Sequence, residues 1–373
     1  MIIQSLELQD FRNYSFLELK LDNGINIFYG NNAQGKTNIL ESVYVGCTSR
    51  SHKSAKDREM IRFDQDAAHI KINLLKKDIP HRIDIHIKKN NAKGIALNGV
   101  PIRRVSQLFG IANVVIFSPE DLHIIKNGPS DRRRFMDMEL CQLNKVYVHN
   151  LSSYNKILAQ KNKLLKEMES IQDAESFLEI YNTQLAGYGS ELIRTRQNFI
   201  EKLDRIMTKI HHNISGGREE LHVIYEANAS AEDLESEMNR HRLQELKQRM
   251  SLTGPHRDDL RFEIDGVDIR YYGSQGQQRS AVLSLKLSEL KLVEEIIGDQ
   301  PVLLLDDVLS ELDRSRQNML LNSIGNIQTL ITCTGLDDFV DHRFHIDRVF
   351  YVSEGTVTEK KPEAEKDGSF SNI

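Results

Sequence analysis

The sequence predicts an α/β protein, a mixed sheet with helices, whose core is split by an inserted antiparallel helical arm. Three observations predict it. A short apolar strand at residues 25–29 runs straight into Gly30-Asn31-Asn32-Ala33-Gln34-Gly35-Lys36-Thr37. A second apolar strand at 302–305 ends in two acids, Asp306 and Asp307. Between them, from about 131 to 213, lies a polar, helix-favouring stretch with no proline after Pro129. Short apolar runs bounded by turn residues suit buried strands, whereas apolar residues three and four apart suit helices.

The elements follow in order. Residues 15–21 alternate like a strand, and a helix is expected from Lys36 to about Gly46. Residues 68–75 and 82–87 alternate again, Asn98-Gly99 is a turn, and 113–117 is another buried strand. Pro119 and Pro129 stand where helices can begin. Leu151, Leu158, Leu165 and Met168, then Leu185, Leu192, Phe199 and Ile206, recur at helical spacing and predict two long helices packed as the arm. A strand at 221–225 and a helix over 231–250 come next. Asp265-Gly266 predicts a hairpin joining strands 259–264 and 267–271. A helix is expected over 277–297, and 302–305 and 329–332 read as central parallel strands. The expected division is 1–130 and 251–359 as two halves of one head, 131–250 as the arm, and 360–373 as a charged tail without order.

Composition excludes several classes. The chain has 373 residues, 39% hydrophobic and 28% charged, a balance typical of soluble globular proteins. No apolar run approaches a membrane span, and residues 1–8 have no basic start of the kind a signal peptide carries. Cys47, Cys141 and Cys333 are odd in number and far apart, which suits a reducing, cytoplasmic setting better than a disulfide or metal framework. The net charge is −5, but residues 50–134 hold 18 Lys and Arg against 9 Asp and Glu. That block is either a phosphate-binding surface or a solvated face.

The segment 30–37 fits G-x-x-x-x-G-K-[ST]. Glycines let the backbone curl so that its N–H groups meet phosphate oxygens, and the following helix start adds partial positive charge. Lys36 is expected to reach the β- and γ-phosphates of ATP, and Thr37 to offer its hydroxyl to Mg²⁺. Asp306 is the second metal candidate, and Asp307 the candidate for orienting or deprotonating the attacking water. A glycine turn with a chance Gly-Lys-Thr does not account for the strand before and the amphipathic helix after. Thr37 and Asp306 are 269 residues apart, so something sizeable is inserted between the two halves of one site. Ser274-Gln275-Gly276-Gln277 opens a long helix 32 residues ahead of Asp306 and offers a second anion-binding surface.

In that position, Tyr272-Gly273-Ser274-Gln275-Gly276-Gln277-Gln278-Arg279 resembles the signature motif of ABC-type ATPases, in which each subunit's signature covers the γ-phosphate held by its partner's P-loop. Ser310-Glu311-Leu312-Asp313 resembles the D-loop of the same class. The opening Leu8-Gln9-Asp10-Phe11-Arg12-Asn13-Tyr14 is similar to that of SMC-class ATPases. With Ser49-Arg50-Ser51-His52, the segments 117–122, 132–135 and 254–259, and residues 304–313, the set resembles the RecF family of bacterial recombination-repair proteins over nearly the whole chain.

The resemblance implies an ABC-type P-loop head with a short helical arm. It also implies ATP-dependent homodimerisation and binding to DNA at single-strand gaps or junctions. RecR and RecO are the implied partners, and loading of the recombinase RecA the implied outcome. Arg12 and Asn13 would lie near the nucleotide phosphates or base, Arg50 near the γ-phosphate or a DNA-facing surface, and Ser274, Gly276, Gln277 and Asp313 at the nucleotide across the dimer.

Three departures bear on turnover. Gln275 replaces a signature glycine, Thr332-Cys333-Thr334 stands where a switch histidine is common, and Asp307 replaces a glutamate. A weak, DNA-stimulated ATPase is therefore expected, with ATP acting mainly as a dimer clamp. The alternative is an architectural DNA binder that uses ATP as a structural ligand without significant turnover. For Arg132, Arg133 and Arg134 the choice is between DNA phosphates and structural pairing with acids such as Asp137 or Glu139, the latter favoured for at least two of them. For His256 and Arg257 it is between the nucleotide side, which the resemblance implies, and a loop ion pair with Asp258 or Asp259.

Overall fold

The computed structural model describes residues 1–53, 55–167, 171–335 and 346–360, with the side chains of 171–176 set aside. The chain forms two compact units, residues 1–120 with 293–373, and residues 121–292. The second unit is wider than the 131–250 expected for the arm, because it also contains residues 121–130 and the 251–292 segment with the signature turn. Met168 and the tail beyond Lys360 lie outside the described residues.

The first unit contains two six-stranded sheets. One runs in the order Thr356–Lys360, Arg348–Ser353, Ile25–Tyr29, Thr329–Cys333, Val302–Asp306, Val114–Phe117. All its neighbours are parallel except the outer pair Arg348–Ser353 and Thr356–Lys360. The strands 302–306 and 329–333 are buried throughout, as continuous apolar runs in a parallel sheet should be. The other sheet is antiparallel, with Tyr14–Lys20, Ile2–Phe11, Ala67–Lys76, Ile79–Lys88, Asn91–Leu97 and Val100–Pro101 side by side.

Helix Lys36–Thr48 packs against strands of both sheets, so nearly all of its residues are buried rather than one stripe. At Gly46 it comes so close to the antiparallel sheet that a Cβ would lie 2.2 Å from the Ile72 Cδ1. Parallel strands place their C-terminal ends together, and ligands of such sheets bind at that edge. Here the edge gathers the turn after Tyr29, the acids after Leu305 and the polar end of 329–333.

The second unit is built on helices Pro129–Leu143, Lys145–Glu167 and Ile171–Ile214. The last two run antiparallel: Tyr147 meets Arg196, Tyr154 meets Gly189, and Leu165 packs on Leu178. A three-stranded sheet of Leu221–Glu226, Asp259–Ile264 and Val267–Asp268 completes it.

Two expectations are corrected here. The helix expected over 231–250 is two, Leu234–Arg240 and Arg242–Gln248, because His241 leaves helical geometry at φ −88° and ψ 1°. The strand expected over 267–271 stops at Asp268, whose side chain accepts a hydrogen bond from the Arg270 N–H and starts a single helical turn, Ile269–Tyr272. Helix Gln275–Ile297 then follows. Among the described residues, no helix is long and apolar enough to cross a membrane.

Candidate nucleotide-binding site

Gly30, Ala33 and Gly35 all have positive φ, at 151°, 63° and 109°. Such a run turns successive N–H groups inward and forms a cradle for anions. Two of these positions have no space for a side chain. A Cβ on Gly30 would lie 2.3 Å from the Val352 carbonyl oxygen, and one on Gly35 would lie 2.4 Å from the Asn13 amide nitrogen. Asn31, Asn32 and Ala33 are exposed and Gln34 is partly buried; the Gln34 side chain accepts from the Glu354 N–H at 2.7 Å.

Lys36 is buried, and its ammonium donates to the carbonyls of Gly30 at 2.7 Å and Asn31 at 2.9 Å. An ammonium has three protons, and bonds to loop carbonyls can be exchanged for bonds to phosphate oxygens.

Thr37 and Asp306, 269 residues apart, meet with the Thr37 hydroxyl donating to the carboxylate at 2.7 Å. The Thr332 hydroxyl lies 2.9 Å from the same carboxylate oxygen and accepts from the Asp307 N–H at 2.9 Å. Asp306 is buried, and burial raises its pKa, partly offset by the Thr37 and Thr332 hydrogen bonds and by the charge of Lys53. The nearest imidazole nitrogen, Nε2 of His52, is 4.0 Å away, and the ring stands edge-on to Tyr44. Asp307 has φ 52°, a left-handed conformation that aspartate tolerates.

A buried carboxylate held by hydroxyls suits a hard cation, and Mg²⁺ takes one or two such oxygens plus substrate phosphates. Among the described residues, no group of three His, Cys, Asp or Glu forms a cage that would bind a metal without the nucleotide. The oxygens of Thr37 and Asp306 fit a metal that arrives with its triphosphate.

Arg12 is tied to the protein's own acid and backbone groups. Its guanidinium forks onto Glu41 at 2.8 and 2.7 Å and donates to the Glu59 carbonyl at 2.6 Å. Three of its five N–H donors are thus committed to holding the hairpin tip against the P-loop helix. Glu41 is fully buried; burial pushes its pKa up, but hydrogen bonds from Arg12 and Ser51 outweigh that and hold it low. Asn13 lies against the loop itself: its amide donates to the Gln34 carbonyl at 3.0 Å, and its oxygen accepts from Asn38 at 2.8 Å. Arg50 is exposed. Asp313 caps helix Arg314–Ile324, accepting from the Arg316 N–H at 3.0 Å and its guanidinium at 2.9 Å.

The signature turn belongs to the 121–292 unit. Ser274 and Gln277 cap the helix reciprocally: the Gln277 N–H donates to the Ser274 hydroxyl at 3.1 Å, and the Ser274 N–H donates to the Gln277 side chain at 2.9 Å. The Gln277 amide also donates to Glu219 at 3.0 Å, so this side chain shapes the turn. Ser274, Gln275 and Gly276 are exposed.

Arg132 and Arg133 are structural, with partners other than those expected. Arg132 forks onto Asp259 at 2.6 and 2.9 Å, and Arg133 donates to the Asp258 carbonyl at 2.7 Å. His256 and Arg257 pair with neither Asp258 nor Asp259: His256 meets the Tyr154 hydroxyl at 2.7 Å, and both reach the Ser251 carbonyl.

Sequence reasoning missed Glu41, and it read Thr332 only as a missing histidine. The available signals were a glutamate inside a buried helix and a threonine closing a buried apolar strand.

A P-loop on a parallel strand, an acid-ended strand in the same sheet, and an antiparallel sheet on the other side of the P-loop helix define the class: an ABC-type ATPase head of the SMC kind. The chain belongs to the RecF family, and the profile of the RecF/RecN/SMC N terminal domain matches residues 2–358. "DNA replication and repair protein RecF" of Lachnospira eligens is 54% identical over 362 residues, covering 96% of this chain and 100% of the relative. The protein of the same name from Agathobacter rectalis is 55% identical over 357 residues, covering 96% and 99%. Among solved structures, the recombination mediator protein RecF-ATP in the RecFOR pathway superposes with a TM-score of 0.90 at 36% identity, covering 96% and 98%. The Smc head of Pyrococcus furiosus, at 16% identity and a TM-score of 0.56, covering 96% of each chain, shares the fold.

Proposed function

We propose that this chain is an ATP-dependent DNA-binding protein of replication and recombinational repair. In this reading it works in the cytoplasm with RecR and RecO, at single-strand gaps or junctions, and dimerises on MgATP to help load the recombinase. The observation that carries it is the Thr37–Asp306 hydrogen bond of 2.7 Å, which brings the two halves of one nucleotide site together. The relatives' names and the RecF-ATP structure support the same reading.

Residues 30–35 hold the phosphates by their N–H groups, and Lys36 exchanges its carbonyl partners for β- and γ-phosphate oxygens. Thr37 and Asp306 supply the oxygens for Mg²⁺, which when bound neutralises charge on the phosphates. Thr332 fixes the Asp306 carboxylate and the Asp307 backbone. Asp307 orients the attacking water, and its short side chain favours slow turnover, so that ATP works mainly as a clamp. The Ser274 hydroxyl and Gly276 N–H of a second copy then close the site over the γ-phosphate, with Asp313 alongside, while Arg12 and Asn13 border the nucleotide.

Light scattering with and without MgATP tests this reading. The wild type should double its mass with MgATP and Lys36→Arg should not; equal dimerisation by both would remove the clamp.

A further inference from the structure

The loop after the P-loop helix carries an imidazole to Asp306. The two oxygens of this carboxylate have different neighbours. Oδ1 meets the hydroxyls of Thr37 and Thr332 at 2.7 and 2.9 Å, and Oδ2 faces Nε2 of His52 at 4.0 Å. The His52 side chain is only 5% exposed, and its ring stands edge-on to buried Tyr44, with centres 5.7 Å apart. The loop is pinned on each side of that ring. Ser49 turns the chain at φ 60° with its N–H bonded to the Val45 carbonyl, and its own carbonyl accepts from Lys93. The Ser51 hydroxyl donates to buried Glu41 and accepts from the Lys53 N–H at 3.1 Å. Glu41 is also the acid that Arg12 grips, so the hairpin tip, the P-loop helix and this loop form one hydrogen-bonded network. All of these residues belong to the first unit.

We infer that His52 is a positioning residue of the magnesium site, which holds Oδ2 of Asp306 while the two hydroxyls hold Oδ1; this rests on the ATP and magnesium reading above. An imidazole with its proton on Nε2 is a donor to a carboxylate. The separation of 4.0 Å is about 1 Å longer than a hydrogen bond. Contacts of this kind are often long in a site without its ligand and tighten when the ligand binds. Packing on Tyr44 needs a ring but no nitrogen, and a polar ring costs more to bury than an apolar one. The aim of Nε2 at Oδ2 gives that nitrogen a use. A carboxylate held at both oxygens presents a fixed direction to the metal, whereas one held at a single oxygen can rotate. The strand 329–333 brings Thr332 to this acid, and the imidazole comes instead from the loop pinned on Glu41.

The test compares wild type, His52→Phe, His52→Gln and Asp306→Asn, all full length. Phenylalanine keeps a ring on Tyr44 without nitrogens, and glutamine restores an amide N–H donor. Two quantities are measured: fluorescent-ATP binding in EDTA, and the magnesium concentration that half-saturates the tightening of that binding. We expect His52→Phe to raise this concentration at least about tenfold and His52→Gln to recover most of the loss, with binding in EDTA equal to wild type for both. If His52→Phe needs no more magnesium than wild type while Asp306→Asn loses the response, the inference falls and the metal reading stands. If His52→Gln recovers nothing, or His52→Phe loses as much binding in EDTA as with magnesium, the ring only packs and the inference is overturned. If magnesium does not tighten ATP binding to the wild type, the metal reading falls and the inference with it.

Discussion

Asp306 and Asp258 are both buried carboxylates, and the two units satisfy them in opposite ways. Asp258 sits among fixed partners: the Arg196 guanidinium at 2.9 Å, the Tyr225 hydroxyl, and the Asn228 N–H at 2.9 Å. Arg196 in turn holds Asp137 at 2.8 Å, the Tyr147 hydroxyl and the Pro255 carbonyl. The same unit buries the pair Lys161–Glu245 at 2.7 Å and the pair Lys286–Glu289. Asp306 has two hydroxyls and, at 4.0 Å, an imidazole. One region neutralises its charges internally and is a scaffold. The other keeps a carboxylate that a metal and its triphosphate would complete.

The largest effect should separate these two acids. Arg196→Met leaves Asp258 and Asp137 without their cation and should cost about 3–5 kcal/mol in urea unfolding of the full chain. Asp306→Asn removes a costly buried charge and should change stability by less than about 1 kcal/mol while abolishing the magnesium dependence of ATP binding. Equal losses of stability would erase the distinction.

Acid should come next and act on the scaffold. Burial drives the His256 pKa down to about 4, below the ordinary 6.5. As pH falls from 6.5 towards 4, the unfolded chain takes up a proton that the folded chain refuses. Stability is therefore complete above 6.5, declines through that window and levels below 4, by up to about 3 kcal/mol. Unfolding curves between pH 7 and pH 4 should show this slope in the wild type and lose it in His256→Gln.

Arg12→Ala should give a smaller loss, roughly 2 kcal/mol, because Glu41 keeps Ser51 but loses its charged partner. Glu41→Gln in the same background should recover part of it. No recovery would mean that Arg12 does not act through Glu41.

The sequence carried the nucleotide site where its information is local. Residues 30–37 and the acids after 302–305 were legible because backbone geometry fixes their spacing. The strands 25–29 and 329–333 were legible because a buried parallel sheet demands unbroken apolar runs. What stayed hidden was pairing at a distance. Arg132 finds Asp259 across 127 residues, and Arg196 finds Asp258 across 62, with no periodicity that connects them. The fork of Arg12 onto Glu41 was hidden for the same reason, because the buried acid meets the hairpin only once the helix is packed. The end of the strand at Asp268 had a local cause, a side-chain cap outweighing a β-rich run of Ile269 and two tyrosines.

In the proposed clamp, a complete site needs the P-loop of one copy and the signature turn of another. Mixing two defective chains, Lys36→Ala and Ser274→Arg, separates a shared site from a self-contained one. Each alone should fail to dimerise with MgATP. Mixed, they can form a pair with one intact site, and light scattering should show a heterodimer with partial recovery of ATP turnover. If the mixture stays as monomeric and inactive as its parts, or if Ser274→Arg alone dimerises like the wild type, the shared-site account is contradicted.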